Sequence, residues 1–460
     1  MSEMNNKQNQ KPDTGIKWAS PFLLTLAVLT VVSFIIPLRP TQSQSEKRNL
    51  AQFPEFSLEA LVSGDYFDDI TLWFSDTFPG RESWLEVATM TSSFHGYSEI
   101  TIQGDLPVPE TVPEVPDTYI PPETTQPPVT EGSENVLEET EEITSEETVP
   151  EETEWGGVDA AEVEIMFTEA AIQIGDAVYT AQGFSQVESN NYIKVVNQFY
   201  DAVAEKGVRV INACPPTAIG ILIEEEYLEQ LRCVSQEKIL NYIHSGLHED
   251  IVKVDTVNAL IAHNDEYIYF RTDHHWTALG AYYAYEAVCE ALDMEPAKLE
   301  DFESIDCGVF HGSLSGKARQ SYKLTWDNVI AYVPPGEIVH SVYGGEGYGY
   351  ERQIITDTST WPENAKYSAF GTDYHMTHSY NKDLPEGKNV LVIKDSFGNC
   401  FVPYLTQNYQ NVYAVDYRKF YNMPLTQFVE KYEIDDVIFA PYITATQAIT
   451  GNNCLNSVCF

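Results

Sequence analysis

An α/β fold built on a parallel sheet with helices on both faces is predicted by three observations. Short apolar runs alternate with amphipathic helical stretches through the second two-thirds of the chain. Chemistry-bearing residues follow several of those runs, where open α/β sheets gather their sites. The 460 residues, 43% hydrophobic and 12% aromatic, are ample for a large core.

Along the chain, residues 1–17 carry Lys7, Lys11 and Lys17 and form a short tail, predicted cytoplasmic. Trp18 to Leu38 is apolar without a charged residue, about 20 residues and so one bilayer crossing. It exceeds the roughly 7–15 residues of a secretory h-region and no Ala-x-Ala site follows, so a retained signal anchor is expected. Residues 44–102 form a first, helix-rich segment of the folded domain. From 103 to 155 Pro, Glu and Thr dominate, and no Lys or Arg occurs between Arg81 and Lys194. Such a stretch buries too little apolar surface to offset its ordering entropy, which predicts a disordered, solvated linker interrupting the fold.

The main domain, 156–460, supplies the alternation. Strand-like runs stand at 208–213, 251–254, 267–270, 390–393, 412–415 and 437–439, and helical stretches at 193–205, 227–243, 277–291 and 425–432. Ala284, Ala287, Val288 and Ala291 give the third helix an apolar stripe. Residues 310–388, rich in Gly, Tyr, Asp and Ser, read as loops around a groove.

The net charge of -44 repels nucleic-acid phosphates, so nucleic acid is excluded as a partner. Seven cysteines without Cys-x-x-Cys spacing argue against a zinc site, and no cofactor motif is present. Cys454 and Cys459 are the most local candidates for a disulfide.

Two segments carry the chemistry. In Tyr269–Thr277, Asp273 and His275 lie two apart in a turn between an apolar run and a helix. In Val392–Asn399, Ser396 ends an apolar run and precedes a stretch with Phe397, Phe401 and Leu405 spaced four apart, a strand-to-helix turn with helix amides beside the hydroxyl. Serine needs a base, the base an orienting carboxylate, and the oxyanion preorganised donors; Ser396, His275 and Asp273 are the residues for the first three. Asp395 is expected to brace the turn, and Trp276 to pack the histidine loop or stack on a sugar. Asp373 and His375 form a second Asp-x-His, which reads as loop. Three adjacent potential ligands at 273–275, Asp273, His274 and His275, make a poor metal site, because neighbouring histidines rarely converge on one ion.

Thr272-Asp-His-His-Trp-Thr277 resembles the signature of the DHHW proteins, relatives of the alginate O-acetyltransferases in the SGNH-hydrolase superfamily. Glu46-Lys-Arg-Asn-Leu-Ala-Gln-Phe-Pro-Glu-Phe56, Ser63-Gly-Asp-Tyr-Phe67 and Asp76-Thr-Phe-Pro-Gly-Arg81 are similar to the first segment of that group, and Gly312-Ser-Leu314 to its middle glycine block. The resemblance covers 46–90 and 156–450. It implies an SGNH-like sheet, catalysis by Asp273, His275 and Ser396, and substrate or oxyanion contacts from Gly312, Arg418, Tyr442 and Trp276. Lys394 departs from the pattern, standing where the superfamily's Gly-Asp-Ser motif has glycine. The implied activity is O-acyl transfer, chiefly acetyl, onto a cell-surface polysaccharide outside the membrane, with a multi-spanning membrane acyltransferase as donor. The same triad would serve a carbohydrate esterase, and the same fold a noncatalytic carbohydrate-binding or envelope assembly protein.

Overall fold

The structure is a computed structural model that describes residues 171–344, 348–372 and 374–460 continuously, with 109–115, 157, 165–168 and scattered positions between 42 and 77. The segments expected to be a cytoplasmic tail (1–17) and an anchor (18–38), and most of the acidic linker, lie outside the described residues. Among those described, no helix is long and apolar enough to cross a membrane.

Two compact units are present, Met1–Tyr97 and Ser98–Phe460. In the first, Gln42–Ser43 pairs antiparallel with Arg48–Asn49, and Phe53 meets Trp73 edge-on with ring centroids 4.8 Å apart. Tyr66, Ile70 and Trp73 are helical.

The second unit is organised by an eight-stranded sheet. Its strands, numbered along the chain, are β1 (Arg209–Asn212), β2 (Val252–Lys253), β3 (Ile338–Tyr343), β4 (Gly349–Arg352), β5 (Met376–Asn381), β6 (Asn389–Lys394), β7 (Asn411–Asp416) and β8 (Asp436–Ala440). The spatial order is β4-β3-β5-β7-β6-β8-β1-β2. From β7 to β2 every pair is parallel. The other three strands are antiparallel, so the sheet is mixed where the sequence predicted a parallel one. Residues 310–388, read as loops, supply these three strands and also Asp327–Val333, which pairs with Glu303–Phe310. They escaped detection because their half-exposed faces carry His, Ser, Thr and Tyr, the alternating pattern of an antiparallel edge with one face in solvent. The parallel strands, by contrast, are near-continuous apolar runs: β8 is buried at every position.

The helices flank this sheet. Helix α1 (Gln186–Val203) is capped by Ser185, whose side chain accepts from the Glu188 N–H, and buries Tyr192, Val195, Val196, Phe199 and Val203 along one stripe. The expected helix 227–243 is instead two pieces. Glu225–Leu228 ends before Arg232, whose φ of 53° breaks the helical path, and α2 (Gln236–Gly246) restarts behind the Ser235 cap. Helix α3 (Ala278–Ala291) buries Ala281, Ala284, Tyr285 and Val288; Ala291 of the predicted stripe is exposed. Helices α4 (Gly398–Leu405) and α5 (Leu425–Lys431) follow β6 and β7.

This topology locates the site. From β6 the chain passes through α4 to β7 on one side; from β7 it passes through α5 back across β6 to β8 on the other. Parallel crossovers are right-handed, so two that run in opposite directions lie on opposite faces of the sheet. A crevice opens where they diverge, beyond the carboxyl ends of β6 and β7. There Lys394 and Asp416 are paired in register.

All seven cysteines are free, Cys454 and Cys459 included. Those two sit in one helix, Ile449–Cys459. A spacing of five turns their side chains away from one another. Within the acidic segment, Glu110 accepts a hydrogen bond from the Gln186 N–H at 3.0 Å and Val112 packs on the core, so 109–115 is seated on the domain.

Candidate active site

The histidine is presented by a narrow loop. The run 267–270 makes no strand; Tyr269 and Trp276 form an isolated antiparallel bridge, and Thr277 N–H donates to Ile268 O at 2.8 Å. Thr277 then caps α3, accepting from Gly280 N–H. At Gly280 a Cβ would stand 2.4 Å from Ile268 O, so only glycine lets the helix start this close to the loop.

The loop tip is tied down by Asp327. Its carboxylate accepts from Arg271 N–H (2.7 Å), Thr272 N–H (2.8 Å), the Tyr267 hydroxyl (2.6 Å) and the Thr272 hydroxyl. Thr272 passes the constraint on: its Oγ1 accepts from Gly312 N–H at 2.9 Å, and its carbonyl from Leu314 N–H at 2.8 Å.

On this frame Asp273 Oδ1 accepts from His275 N–H (3.0 Å) and stands 2.6 Å from His275 Nδ1, while Oδ2 accepts from Ser313 N–H at 2.7 Å. The other ring nitrogen, Nε2, is 2.8 Å from Ser396 Oγ. With Nδ1–H donated to the carboxylate, Nε2 carries the lone pair and the serine hydroxyl donates to it. Burial alone would raise the Asp273 carboxyl. The charge and hydrogen bond of His275, with His274 and the Ser313 amide, outweigh it and hold the group well below the usual carboxylate range.

Ser396 sits at the β6–α4 turn, where Asp395, fully buried, accepts from Phe397 N–H (2.9 Å) and Tyr442 N–H (2.8 Å). The imidazole of His275 is stacked on Tyr367 (centroids 4.2 Å) and lies 5.0 Å from the Phe397 ring. The Tyr367 hydroxyl donates to Ser396 O at 2.9 Å, linking base and nucleophile a second time. Trp276, 1% exposed, donates its indole N–H to Phe397 O at 2.9 Å, a third link.

The sequence candidates therefore divide. Asp273, His275 and Ser396 are brought together. Trp276 packs and cannot stack on a substrate, because it is buried and its N–H is taken. Gly312 is not an oxyanion donor, since its N–H is spent on Thr272; a Cβ there would lie 2.3 Å from Thr272 O, so the glycine allows two backbones to touch. Tyr442 stacks on Phe397 (5.0 Å) behind the site. Arg418 faces the cavity, held by a two-pronged contact with Asp416 (2.8 and 2.7 Å). His375 gives its N–H to Tyr343 O and stays apart from the triad. Asp373 lies outside the described residues. Asp273, His274 and His275 offer ligand atoms within 4.8 Å of one another, but the donors of Asp273 and His275 are already engaged in the chain of bonds just described. His274 turns to Ser313 Oγ (3.0 Å), and its ring is pushed down to about 4 by burial and the neighbouring His275.

A cavity of about 210 Å³ opens over Ser396 and His275, walled by Tyr367, Lys394, Asn399 and Arg418 among others. Tyr367 had no sequence signal as a site residue; Ser313 lies inside the Gly312-Ser-Leu314 block and Asn399 closes the Val392–Asn399 segment, but neither side chain was assigned a role there. Lys394 is 6% exposed with its ammonium against Asn399 Oδ1. Burial pushes it down to about 8, against the pull of Asp416 and Asp395.

The family model described as DHHW protein matches residues 46–415. Among solved structures the chain is similar to a DHHW family protein from Eubacterium siraeum, at 25% identity and a TM-score of 0.58 over 65% of this chain and 99% of that one. It is also similar to Bacillus cereus PatB1 (16%, TM-score 0.50, 63% and 99%). A third is the O-acetyltransferase domain of Pseudomonas putida AlgJ (13%, TM-score 0.38, 64% and 99%). No curated protein matches the chain.

Proposed function

The chain belongs to the DHHW family, and from that premise we propose that it is an O-acyltransferase that carries an acetyl group on Ser396 and passes it to a hydroxyl of an extracytoplasmic polysaccharide. The observation that carries this reading is the unbroken chain of contacts from Asp273 through His275 to Ser396 Oγ at the floor of an open cavity.

In the first half-reaction Ser396 Oγ attacks the carbonyl carbon of the donor ester while its proton passes to His275 Nε2. The tetrahedral intermediate collapses, the donor oxygen leaves with that proton, and acyl-serine remains. In the second, the acceptor hydroxyl gives its proton to Nε2 and attacks the acyl carbon; Ser396 leaves and recovers the proton. Asp273, held as a carboxylate, stabilises the imidazolium in both halves. At about 210 Å³ the cavity is below the roughly 300–1,000 Å³ of sites for drug-sized ligands, which suits a short acyl group at the serine with the glycan outside.

The apolar stretch Trp18–Leu38 is taken as a retained anchor that holds the domain on the outer face of the membrane. A multi-spanning membrane acyltransferase is the proposed donor. Incubation of the full chain in detergent with a chromogenic acetyl ester and an oligosaccharide acceptor tests the reading. Acetylated oligosaccharide, and an acetyl adduct mapped to the Ser396 peptide after acid quench, are expected; Ser396→Ala should remove both. Acetate as sole product would make the protein an esterase, and full turnover by Ser396→Ala would overturn the acyl-enzyme.

A further inference from the structure

The acyl-transfer reading requires donors for the oxyanion, and Gly312, the glycine offered by the sequence, has none to give. Two donors stand at the nucleophile itself. Ser396 N–H makes no hydrogen bond among the described residues. Asn399 lies in the first turn of α4, three positions on, where helical geometry brings its side chain to the same side as Ser396. It is 8% exposed and faces the cavity that holds Ser396 and His275.

The orientation of its amide is dictated by Lys394. The Lys394 ammonium rests against Asn399 Oδ1. An ammonium has only donors, so the atom turned toward it must be the carbonyl oxygen, and the NH₂ group is turned away. That NH₂ makes no hydrogen bond among the described residues. Gly398 makes the arrangement possible: a Cβ there would come within 2.6 to 2.9 Å of Lys394 Cδ, Cβ and Cγ, so the lysine stem crosses the helix start only because residue 398 has no side chain. Lys394 and Asp416 are register neighbours on adjacent strands, and the charge of Asp416, itself paired with Arg418, favours the ammonium form of the lysine.

We propose that the Asn399 side-chain amide, with the Ser396 N–H, donates to the oxyanion formed at Ser396, and that Lys394 is the positioning residue that points this amide into the cavity. The lysine in place of the superfamily's glycine is thereby given a task. The proposal rests on the acyl-enzyme reading above.

The test uses the full chain. Asn399→Asp keeps the size of the side chain and an acceptor for Lys394 while deleting the donor. For a chromogenic acetyl ester, kcat is expected to fall about 10²–10³-fold with KM within about threefold. Affinity for an aryl trifluoromethyl ketone, which forms an oxyanion adduct on serine, should fall in the same proportion. Asn399→Ala serves in its place should the aspartate variant not fold. Lys394→Met should lower kcat by about tenfold, and the Lys394→Met/Asn399→Ala double variant should be no slower than Asn399→Ala alone. A lysine that merely stabilised the turn would slow it further. Wild-type kcat and ketone affinity in Asn399→Asp, or a multiplicative double variant, overturns the proposal. Failure of the two readings is separable: an active Ser396→Ala defeats the acyl-enzyme, whereas a dead Ser396→Ala beside a fully active Asn399→Asp defeats only the oxyanion assignment.

Discussion

Replacing Asp273 with asparagine separates charge from shape at the site. In the wild type the carboxylate Oδ1 stands 2.6 Å from His275 Nδ1 and Oδ2 accepts from Ser313 N–H at 2.7 Å. At that separation and an effective dielectric of about 20, attraction to an imidazolium is about 6 kcal/mol. A neutral amide oxygen in the same place retains a hydrogen bond worth about 1 kcal/mol. Roughly 5 kcal/mol of imidazolium stabilisation is then lost, between 10³ and 10⁴ in kcat. The amide must also choose. With its oxygen toward His275, the NH₂ opposes Ser313 N–H, leaving a buried donor unmet at a cost of about 1–3 kcal/mol in stability. With its NH₂ toward His275, the imidazole must protonate Nε2 and can no longer accept the Ser396 proton. Either choice disables the base. The assay is kcat for a chromogenic acetyl ester, paired with thermal unfolding of the full chain. A variant within tenfold of wild type in kcat would refute the role given to Asp273.

Three further outcomes follow from the same geometry. Gly312→Ala sets a Cβ 2.3 Å from Thr272 O and 2.5 Å from Asp273 Cβ; unfolding should show a loss of about 1–3 kcal/mol, with esterase activity reduced through displacement of Asp273, and an unchanged midpoint would contradict the packing described. Tyr367→Phe keeps the ring on His275 and deletes the bond to Ser396 O, so kcat should change by less than about tenfold, whereas Tyr367→Ala should cost more; equal kcat values for the two would deny the stacking a role. For Lys394, the folded chain releases its proton near pH 8 while the unfolded chain holds it to the ordinary 10.5. The unfolded state therefore binds more protons between these values, and stability gains from this group as pH rises through the window. The midpoint advantage of Lys394→Met over wild type should thus be largest below pH 8 and shrink toward pH 10; a difference independent of pH would contradict it.

By itself the sequence determined what depends on near neighbours. The parallel strands were legible because burial on both faces makes them continuous apolar runs, and the helices because one stripe must be apolar. The Asp-x-His turn and the strand-to-helix turn at Ser396 were legible because two residues of spacing or one change of period defines each. The tertiary structure alone decided the rest. The antiparallel half of the sheet was hidden because a half-exposed strand such as Met376–Asn381 carries as many polar side chains as a loop. The contact between His275 and Ser396 spans 121 residues and depends on which way each crossover turns, which no local pattern encodes. Gly312 resembled an oxyanion donor and is a spacer, because its N–H was claimed by Thr272 from 40 positions away. Lys394 looked like a break in a motif; the place of its ammonium, against Asn399, follows from the bare backbone of Gly398 and the register of β6 beside β7. Periodicity records which face of an element is buried, whereas the pairing of polar groups across the core is set only when the elements pack.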